Sequence, residues 1–222
     1  MIRGLILDLD GTLVDSNDAH ARAWVRAFAG EGLNIPFERV RPLMGMGGDQ
    51  LIPTLTDLSP SSPRAQALSA AWLRHFREQE LPVLRPMPGA RELVGGLRSR
   101  GYRLVLGTSS DEELVSELLE IAGVADLLTQ RTTASDVAES KPEPDIIHAA
   151  LEKLQLGPQQ VLMVGDTRFD IEAAQRAGVQ TVALLCGGQP RRELKGALAL
   201  FAGPADWAQQ LDGPPLQPGA AT

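Results

Sequence analysis

From residue 86 onward the chain repeats one unit, a helix-period segment that stops at a glycine and is followed by a short apolar run. Residues 91–100 stop at Gly101 ahead of 102–106, and 112–122 stop at Gly123. Residues 145–155 stop at Gly157 ahead of 160–164, and 170–177 stop at Gly178 ahead of 179–185. Glycine takes the left-handed position past a helix without a Cβ penalty, so each stop marks a helix end. The apolar runs lack polar alternation, as strands buried on both faces do. The rhythm therefore predicts an α/β fold, a Rossmann-like parallel sheet with helices on both faces.

The run 4–10 has the character of this sheet, yet no strand-like run follows it until residue 102. Between them the pattern is helical, with Ala23, Trp24, Ala27 and Phe28 on one stripe and Leu68, Ala71, Trp72, His75 and Phe76 on another. The expected organisation is a core of residues 1–15 and 86–222 with an inserted helical domain, residues 16–85. Its hinges fall at 15–17 and at the proline-rich segment 81–89, where helix continuation is blocked. A length of 222 residues suits one domain carrying such an insert. The Pro/Gly-rich tail 213–222 is expected to fray.

The net charge is −7, from 28 acidic and 21 basic side chains, and no basic block interrupts it. A nucleic-acid footprint is missing, so an anionic ligand must be held by local groups. No apolar run approaches the roughly 18 residues of a membrane span. Met1-Ile2-Arg3 leads straight into a strand-like run, which leaves no room for a signal peptide and predicts a mature chain that starts here. Cys186 is the only cysteine and cannot form an internal disulfide, so a reducing compartment, the cytoplasm, is expected. In a loop after a strand, with no base nearby in sequence, it reads as ordinary packing. The expected state is a monomer or homodimer.

Four segments carry chemistry. The first is Asp8-Leu9-Asp10-Gly11-Thr12-Leu13, at the carboxyl end of the first strand, the edge where open parallel sheets bind ligands. Strand alternation puts Asp8 and Asp10 on one side, where two carboxylates repel unless a cation or proton sits between them. A capped turn is the alternative; an EF-hand loop fails because the glycine falls at position 4. The second is Val161-Leu-Met-Val-Gly-Asp166-Thr-Arg-Phe-Asp170, in which Asp166 ends a strand and Asp170 leans back over it from the next helix. Asp166 could instead cap that helix. Together the four carboxylates favour a hard cation with oxygen ligands, Mg²⁺ being usual beside phosphate.

The third segment is Leu104-Val-Leu-Gly-Thr108-Ser109-Ser110-Asp-Glu-Glu113. Ser110-x-x-Glu113 fits a capping box, and the amides and hydroxyls of Thr108 and Ser109 would point toward the strand edge, where an anionic oxygen would fit. The fourth is Ser140-Lys141-Pro142-Glu143-Pro144-Asp145. Lys141, one of only three lysines with Lys153 and Lys195, is either a surface charge or an ammonium for phosphate.

In this order and at these spacings, the four segments resemble the haloacid dehalogenase-like hydrolase superfamily, in the branch with a helical cap inserted after the first strand. D-x-D-G-T-L followed by V-D-S is the most specific part of the resemblance, and V-G-D-T-x-x-D is the next. The resemblance implies that Asp8 is a nucleophile forming an aspartyl-phosphate and that Asp10 is an acid toward the leaving oxygen, then a base toward water. It implies that Thr108 binds a phosphoryl oxygen and that Lys141 neutralises nucleophile and phosphate. Mg²⁺ would be bound by the Asp8 carboxylate, the Asp10 main-chain carbonyl and Asp166, with Asp170 acting through water. Such chemistry needs charge neutralisation and in-line positioning above all.

Dehalogenases of the superfamily lack an acid at the place of Asp10, because halide leaves without a proton, so Asp10 argues for phosphate esters. The resemblance further implies substrate-binding positions at Thr12, Ser109, His20, Arg41, Gly45, Met46 and Gly47, with His20 a hinge contact to the Asp10 segment. A packed or solvent-facing histidine is the alternative. The glycines of Pro42-Leu-Met-Gly45-Met-Gly-Gly-Asp49 fit neither a Walker loop nor a dinucleotide fingerprint and would allow close backbone approach to substrate. Mutases related to beta-phosphoglucomutase usually carry an arginine where Gly48 stands; Arg41 or Arg39 would have to substitute. The nearer resemblance is to phosphoglycolate-phosphatase-like enzymes. The expected activity is Mg²⁺-dependent hydrolysis of a small phosphorylated metabolite; a sugar-phosphate mutase and a non-catalytic phosphate-binding regulator are the other readings.

Overall fold

The structure is a computed structural model that describes residues 1–216. Its sheet contains β1 (Gly4–Leu7), β2 (Arg103–Gly107), β3 (Arg131–Thr132), β4 (Val161–Gly165), β5 (Gln180–Leu184) and β6 (Ala199–Phe201). All pairs are parallel, in the order β3-β2-β1-β4-β5-β6. β1 lies between β2 and β4, with Leu5 opposite Leu104 on one side and Leu162 on the other. The chain thus leaves β1 in both lateral directions, and crevices for ligands form at the carboxyl ends of strands at such a switch point.

Helices cover both faces. Leu5 and Leu7 pack with α5 (Ala90–Ser99), α6 (Glu112–Ala122) and α9 (Pro204–Ala208), whereas Ile6 packs with α7 (Asp145–Leu154) and α8 (Arg168–Arg176). Between β1 and β2 the chain is helical, with α1 (Asn17–Gly30), α2 (Phe37–Val40), α3 (Gly48–Leu55) and α4 (Pro63–His75), the last extended by a π turn over Phe76–Glu80. Trp24, Ala27, Phe28, Leu68, Trp72 and Phe76 are buried there as their stripes predict, while Ala71 and His75 are half-buried. The two chain passages into this insert run side by side: Asp15 N–H donates to the Arg85 carbonyl at 3.0 Å, and Met87 N–H donates to that of Leu13 at 2.9 Å. No helix among the described residues is long and apolar enough to cross a membrane.

Several expectations change. β1 ends at Leu7, not Asp10, because the chain turns there: Leu9 C=O accepts the N–H groups of Thr12, Leu13 and Val14, and Gly11 sits at φ +75°. Asp8 and Asp10 therefore converge through a turn, not through strand alternation. The third glycine stop is displaced, since Gln155, at φ +53°, takes the left-handed position after α7 and Gly157 lies two residues beyond at φ −76°. α8 begins at Arg168, with Thr167 as cap and Asp170 in its first turn. The edge strand β3, two residues long, carries no apolar run to announce it, whereas β6 lies within the apolar run 197–202, which follows β5 without a helix-period segment and so falls outside the repeated rhythm. Of the tail expected to fray, Gly213–Leu216 is placed and Leu216 is buried against the core, while 217–222 lie outside the described residues.

Candidate active site

Segments far apart in sequence meet at the carboxyl ends of β1, β2 and β4. Lys141 is fully buried, which excludes its reading as a surface charge. Its Nζ donates to Asp8 Oδ1 at 2.6 Å, to Asp170 Oδ1 at 2.7 Å and to the Gly107 carbonyl at 3.2 Å. Burial would favour the neutral amine, but the Asp170 and Asp8 carboxylates outweigh it and raise the Lys141 pKa. Asp170 is held from its other side by the N–H and hydroxyl of Thr167, at 3.0 and 2.7 Å. The capping box of α8 therefore also orients a site carboxylate.

Asp166 is completely buried and does not cap α8. It accepts from Thr12 Oγ1 at 3.0 Å and Asn17 Nδ2 at 2.8 Å. Thr12 thus binds aspartates, with Asp8 Oδ2 a distant second partner at 3.5 Å, and does not line the cavity where a substrate would sit. Gly11 is required between these groups, because a Cβ there would meet Asn17 at 2.0 Å and Asp166 at 2.4 Å. Burial, then the neighbouring Asp170, pushes Asp166 up to about 7 against the hydrogen bonds of Asn17 and Thr12. Asp8 is raised well above the usual carboxylate range by burial, which Lys141 only partly opposes and to which Asp170 and Asp166 add.

One carboxylate oxygen each from Asp8, Asp166 and Asp170 lies within 4.8 Å of the others, all three residues buried. Three carboxylates converge there on the single ammonium of Lys141, so the residues fit a hard divalent cation with oxygen ligands. The Asp10 carboxylate stands apart from this cluster. It accepts from Ser16 Oγ at 2.5 Å and Ser110 Oγ at 2.6 Å and lies 2.7 Å from His20 Nε2. Burial alone would raise Asp10; His20 and the two hydroxyls instead hold it down to about 2. Any metal contact from Asp10 would fall to its main-chain carbonyl.

The capping box expected at Ser110-x-x-Glu113 is absent: Asp111 caps α6 without a side-chain bond, and the Ser110 hydroxyl is committed to Asp10. Thr108 lines the cavity, but its N–H donates to the Thr132 carbonyl in the sheet ladder and its Oγ1 accepts from Ser110 N–H at 3.1 Å. Its amide is therefore not offered to an anion. Ser109 Oγ is buried with no hydrogen-bond partner among the described residues.

Above Asp8 and Asp10 lies a cavity of about 70 Å³, roofed by Trp24, Trp72, Met44, Met46 and the Gly45–Gly48 turn, with His20 at its side. His20 is packed as well as bonded, its ring lying 4.1 Å from Phe76 at 4°. Gly45 and Gly47 do permit close approach, but to the core: a Cβ on Gly45 would meet Thr167 at 2.8 Å, and one on Gly47 would meet Ser140 Oγ at 2.3 Å. Gly47 N–H donates to Ser140 Oγ, and Asp49 accepts from the Ser140 N–H and hydroxyl, so the loop from the insert is docked beside Lys141. Arg41 does not line the cavity; its guanidinium pairs with Asp18 and donates to the Gly187 carbonyl at 2.6 Å. Arg39 is exposed and also outside it. Cys186 donates to the Gly11 carbonyl and is pushed up to about 12 by burial, consistent with packing.

Ser16, Asn17, Ser140 and Asp49 stand in segments that the sequence marks, but their own roles are not legible there: the bonds of Ser16 to Asp10, of Asn17 to Asp166 and of Asp49 to Ser140 arise only in the fold.

A family profile described as haloacid dehalogenase-like hydrolase matches residues 5–184. A phosphoglycolate phosphatase of Rhodospirillum rubrum is 34% identical over 229 aligned positions, covering 93% of this chain and 91% of that one. Among solved structures, a hydrolase from Pseudomonas syringae superposes with a TM-score of 0.88 at 30% identity, covering 95% of this chain and 98% of that one. A beta-phosphoglucomutase-like structure from Bacteroides vulgatus superposes at 0.85 with 24% identity, covering 95% and 88%, and shows the shared fold. By the matched profile, the extent of these relatives and the segments gathered at the strand ends, this chain belongs to the haloacid dehalogenase-like hydrolase family.

Proposed function

We propose that the protein is a Mg²⁺-dependent phosphatase that hydrolyses a small phosphorylated metabolite through an aspartyl-phosphate on Asp8. The observation that carries this reading is the buried Lys141 ammonium bridging Asp8 and Asp170 beside a further acid, Asp166. Such a site gathers a nucleophile with the charges needed to receive a phosphoryl group. Asp8, Asp166 and the Asp10 carbonyl would hold Mg²⁺ with Asp170 behind them, and the ion supplies neutralisation of phosphoryl charge.

The chain's own residues do the rest. Lys141 orients the Asp8 carboxylate and partly offsets the cost that burial puts on its ionisation, leaving the remaining neutralisation to the cation. Asp8 attacks phosphorus, the ester oxygen departs with a proton from Asp10, and Asp10 then takes a proton from the water that cleaves the acyl phosphate. Held at about 2, Asp10 is ionised at neutral pH in the arrangement described, which suits the second half of this cycle. A phosphoryl dianion arriving beside it raises a carboxylate's pKa, which lets Asp10 carry the proton for the first half. The helical insert works as a cap that covers the reacting groups and bears on the leaving group. A mutase reading has no observation of its own, since among the described residues no arginine lines the cavity to hold a second phosphate.

The test is phosphate release from an aryl phosphate with Mg²⁺. Asp8→Asn should lower turnover by at least about a thousandfold, because the amide is a poor nucleophile of similar shape, with an unchanged circular dichroism spectrum. Hydrolysis by that variant near the parent rate would sink the aspartyl-phosphate route.

A further inference from the structure

The phosphoryl end of the cavity and the leaving-group end differ in charge. Lys141 and the aspartate cluster serve the first. Around the second, among the described residues, no lysine or arginine lines the cavity, and residues 217–222 contain neither. Arg41 is turned to Asp18 and Gly187, and Arg22 and Arg26 are both paired with Glu80. The mouth is instead acidic. Asp111 lines it, and partial burial with the nearby Glu113 and Asp49 carboxylates raises its pKa.

What the leaving-group side does offer is neutral. Trp24 and Trp72 stack at 5.2 Å between ring centroids, and Met44 and Met46 add apolar surface. The Trp72 indole Nε1–H in the roof is a buried donor with no partner among the described residues. Asn17 Oδ1 and the Ser109 hydroxyl, which also lack partners there, stand beside Asp166 and Thr108 and belong to the phosphoryl end. An alcohol oxygen can accept from the indole and brings no charge to the apolar wall. A carboxylate or second phosphate would face Asp111 without a counter-charge and would lose its hydration against the tryptophans and methionines.

We infer that the substrate's leaving group is a small uncharged alcohol, of the polyol or short-sugar class, and not one bearing a carboxylate or a second phosphate. This rests on the phosphatase reading above and narrows it away from phosphoglycolate. Room for the leaving group is limited: a cavity of about 70 Å³ must also receive the phosphoryl group, and each water-sized group takes on the order of 10–15 Å³ of such space.

The decisive comparison is between two esters of nearly equal shape, 2-hydroxyethyl phosphate and 2-phosphoglycolate, with glycerol phosphate as a longer neutral ester and p-nitrophenyl phosphate as a control. The expected result is a kcat/KM for 2-hydroxyethyl phosphate about a hundredfold above that for 2-phosphoglycolate, as a desolvated carboxylate without a counter-charge penalises the wrong ligand strongly. Met46→Lys, which adds a cation to the roof, should shift that ratio toward phosphoglycolate by about tenfold. Equal or better use of 2-phosphoglycolate by the parent protein, with p-nitrophenyl phosphate cleaved, would overturn this inference and leave the phosphatase reading standing. If neither p-nitrophenyl phosphate nor any other ester is cleaved in the presence of Mg²⁺, both fall together.

Discussion

The floor and the roof of the cavity are built on opposite principles. On the floor, Asp8, Lys141, Asp166 and Asp170 form one network in which every charge has a charged or hydrogen-bonded partner within about 3 Å. The roof is a stack of Trp24, Trp72, Phe76 and His20 with two methionines, where shape and a few neutral polar atoms do the selecting. The difference teaches which substitutions can be absorbed. A buried ionic network fails as a unit, because removing one member leaves another charge uncompensated in a low-dielectric site. An apolar wall loses area in increments and changes preference before it changes rate.

The hardest test of that contrast is Lys141→Ala. It strands Asp8 and Asp170 and should cost about 3–5 kcal/mol of stability besides abolishing turnover; a urea midpoint equal to that of the parent would break the claim that the floor is one unit. Asp166→Ala should lower activity less, by roughly one to two decades, and weaken the Mg²⁺ response, since a hard cation loses an anionic ligand. An unchanged metal titration would remove Asp166 from the cation site.

The floor also predicts a pH dependence. Asp166 is raised to about 7 from an unfolded value near 4. A carboxyl raised on folding binds more protons in the folded state, so its contribution is full below the unfolded pKa and is lost as pH rises through the folded one. Without metal, the melting temperature should therefore fall by several degrees between about pH 5 and pH 8. Mg²⁺ should suppress that fall, and so should Asp166→Ala. A flat profile for the metal-free protein in differential scanning calorimetry would contradict the upward shift that burial and the neighbouring Asp170 impose on Asp166.

The roof gives the smallest effects. Met46→Ala should change the ratio of rates for an aryl phosphate and a small alkyl phosphate by about tenfold, with little loss on the better ester. Arg41→Ala should leave the ratio within about twofold, the ordinary reach of an ion pair outside the cavity. Equal loss on both esters for Met46→Ala would mean that the roof acts in catalysis rather than in recognition.

The sequence determined four strands of the sheet, the place of the helical insert and which carboxylates stand at the strand ends, because these depend on patterns local to a few residues, whereas the place of Lys141 was decided by its burial in the folded chain. Apolar runs specify β1, β2, β4 and β5, and D-x-D-G-T and V-G-D-T-x-x-D sit at the strand ends that the sheet order brings together. Residue types with two available uses were decided by tertiary structure alone. Ser110 had a capping box within reach and instead bonds Asp10, because a buried carboxylate rewards a hydroxyl more than an exposed helix end does. Thr12 serves Asp166 for the same reason. Arg41, short of any local partner in the motif, finds Asp18 and Gly187, and the loop glycines near it open onto Ser140 and Thr167 rather than onto the cavity floor. Asp49 and Ser140 meet across 91 positions, and no periodicity or spacing encodes such a meeting. Local pattern decides which elements form, but partners for a buried polar group are chosen by whatever the packed elements bring within hydrogen-bonding reach, and only the folded chain supplies that list.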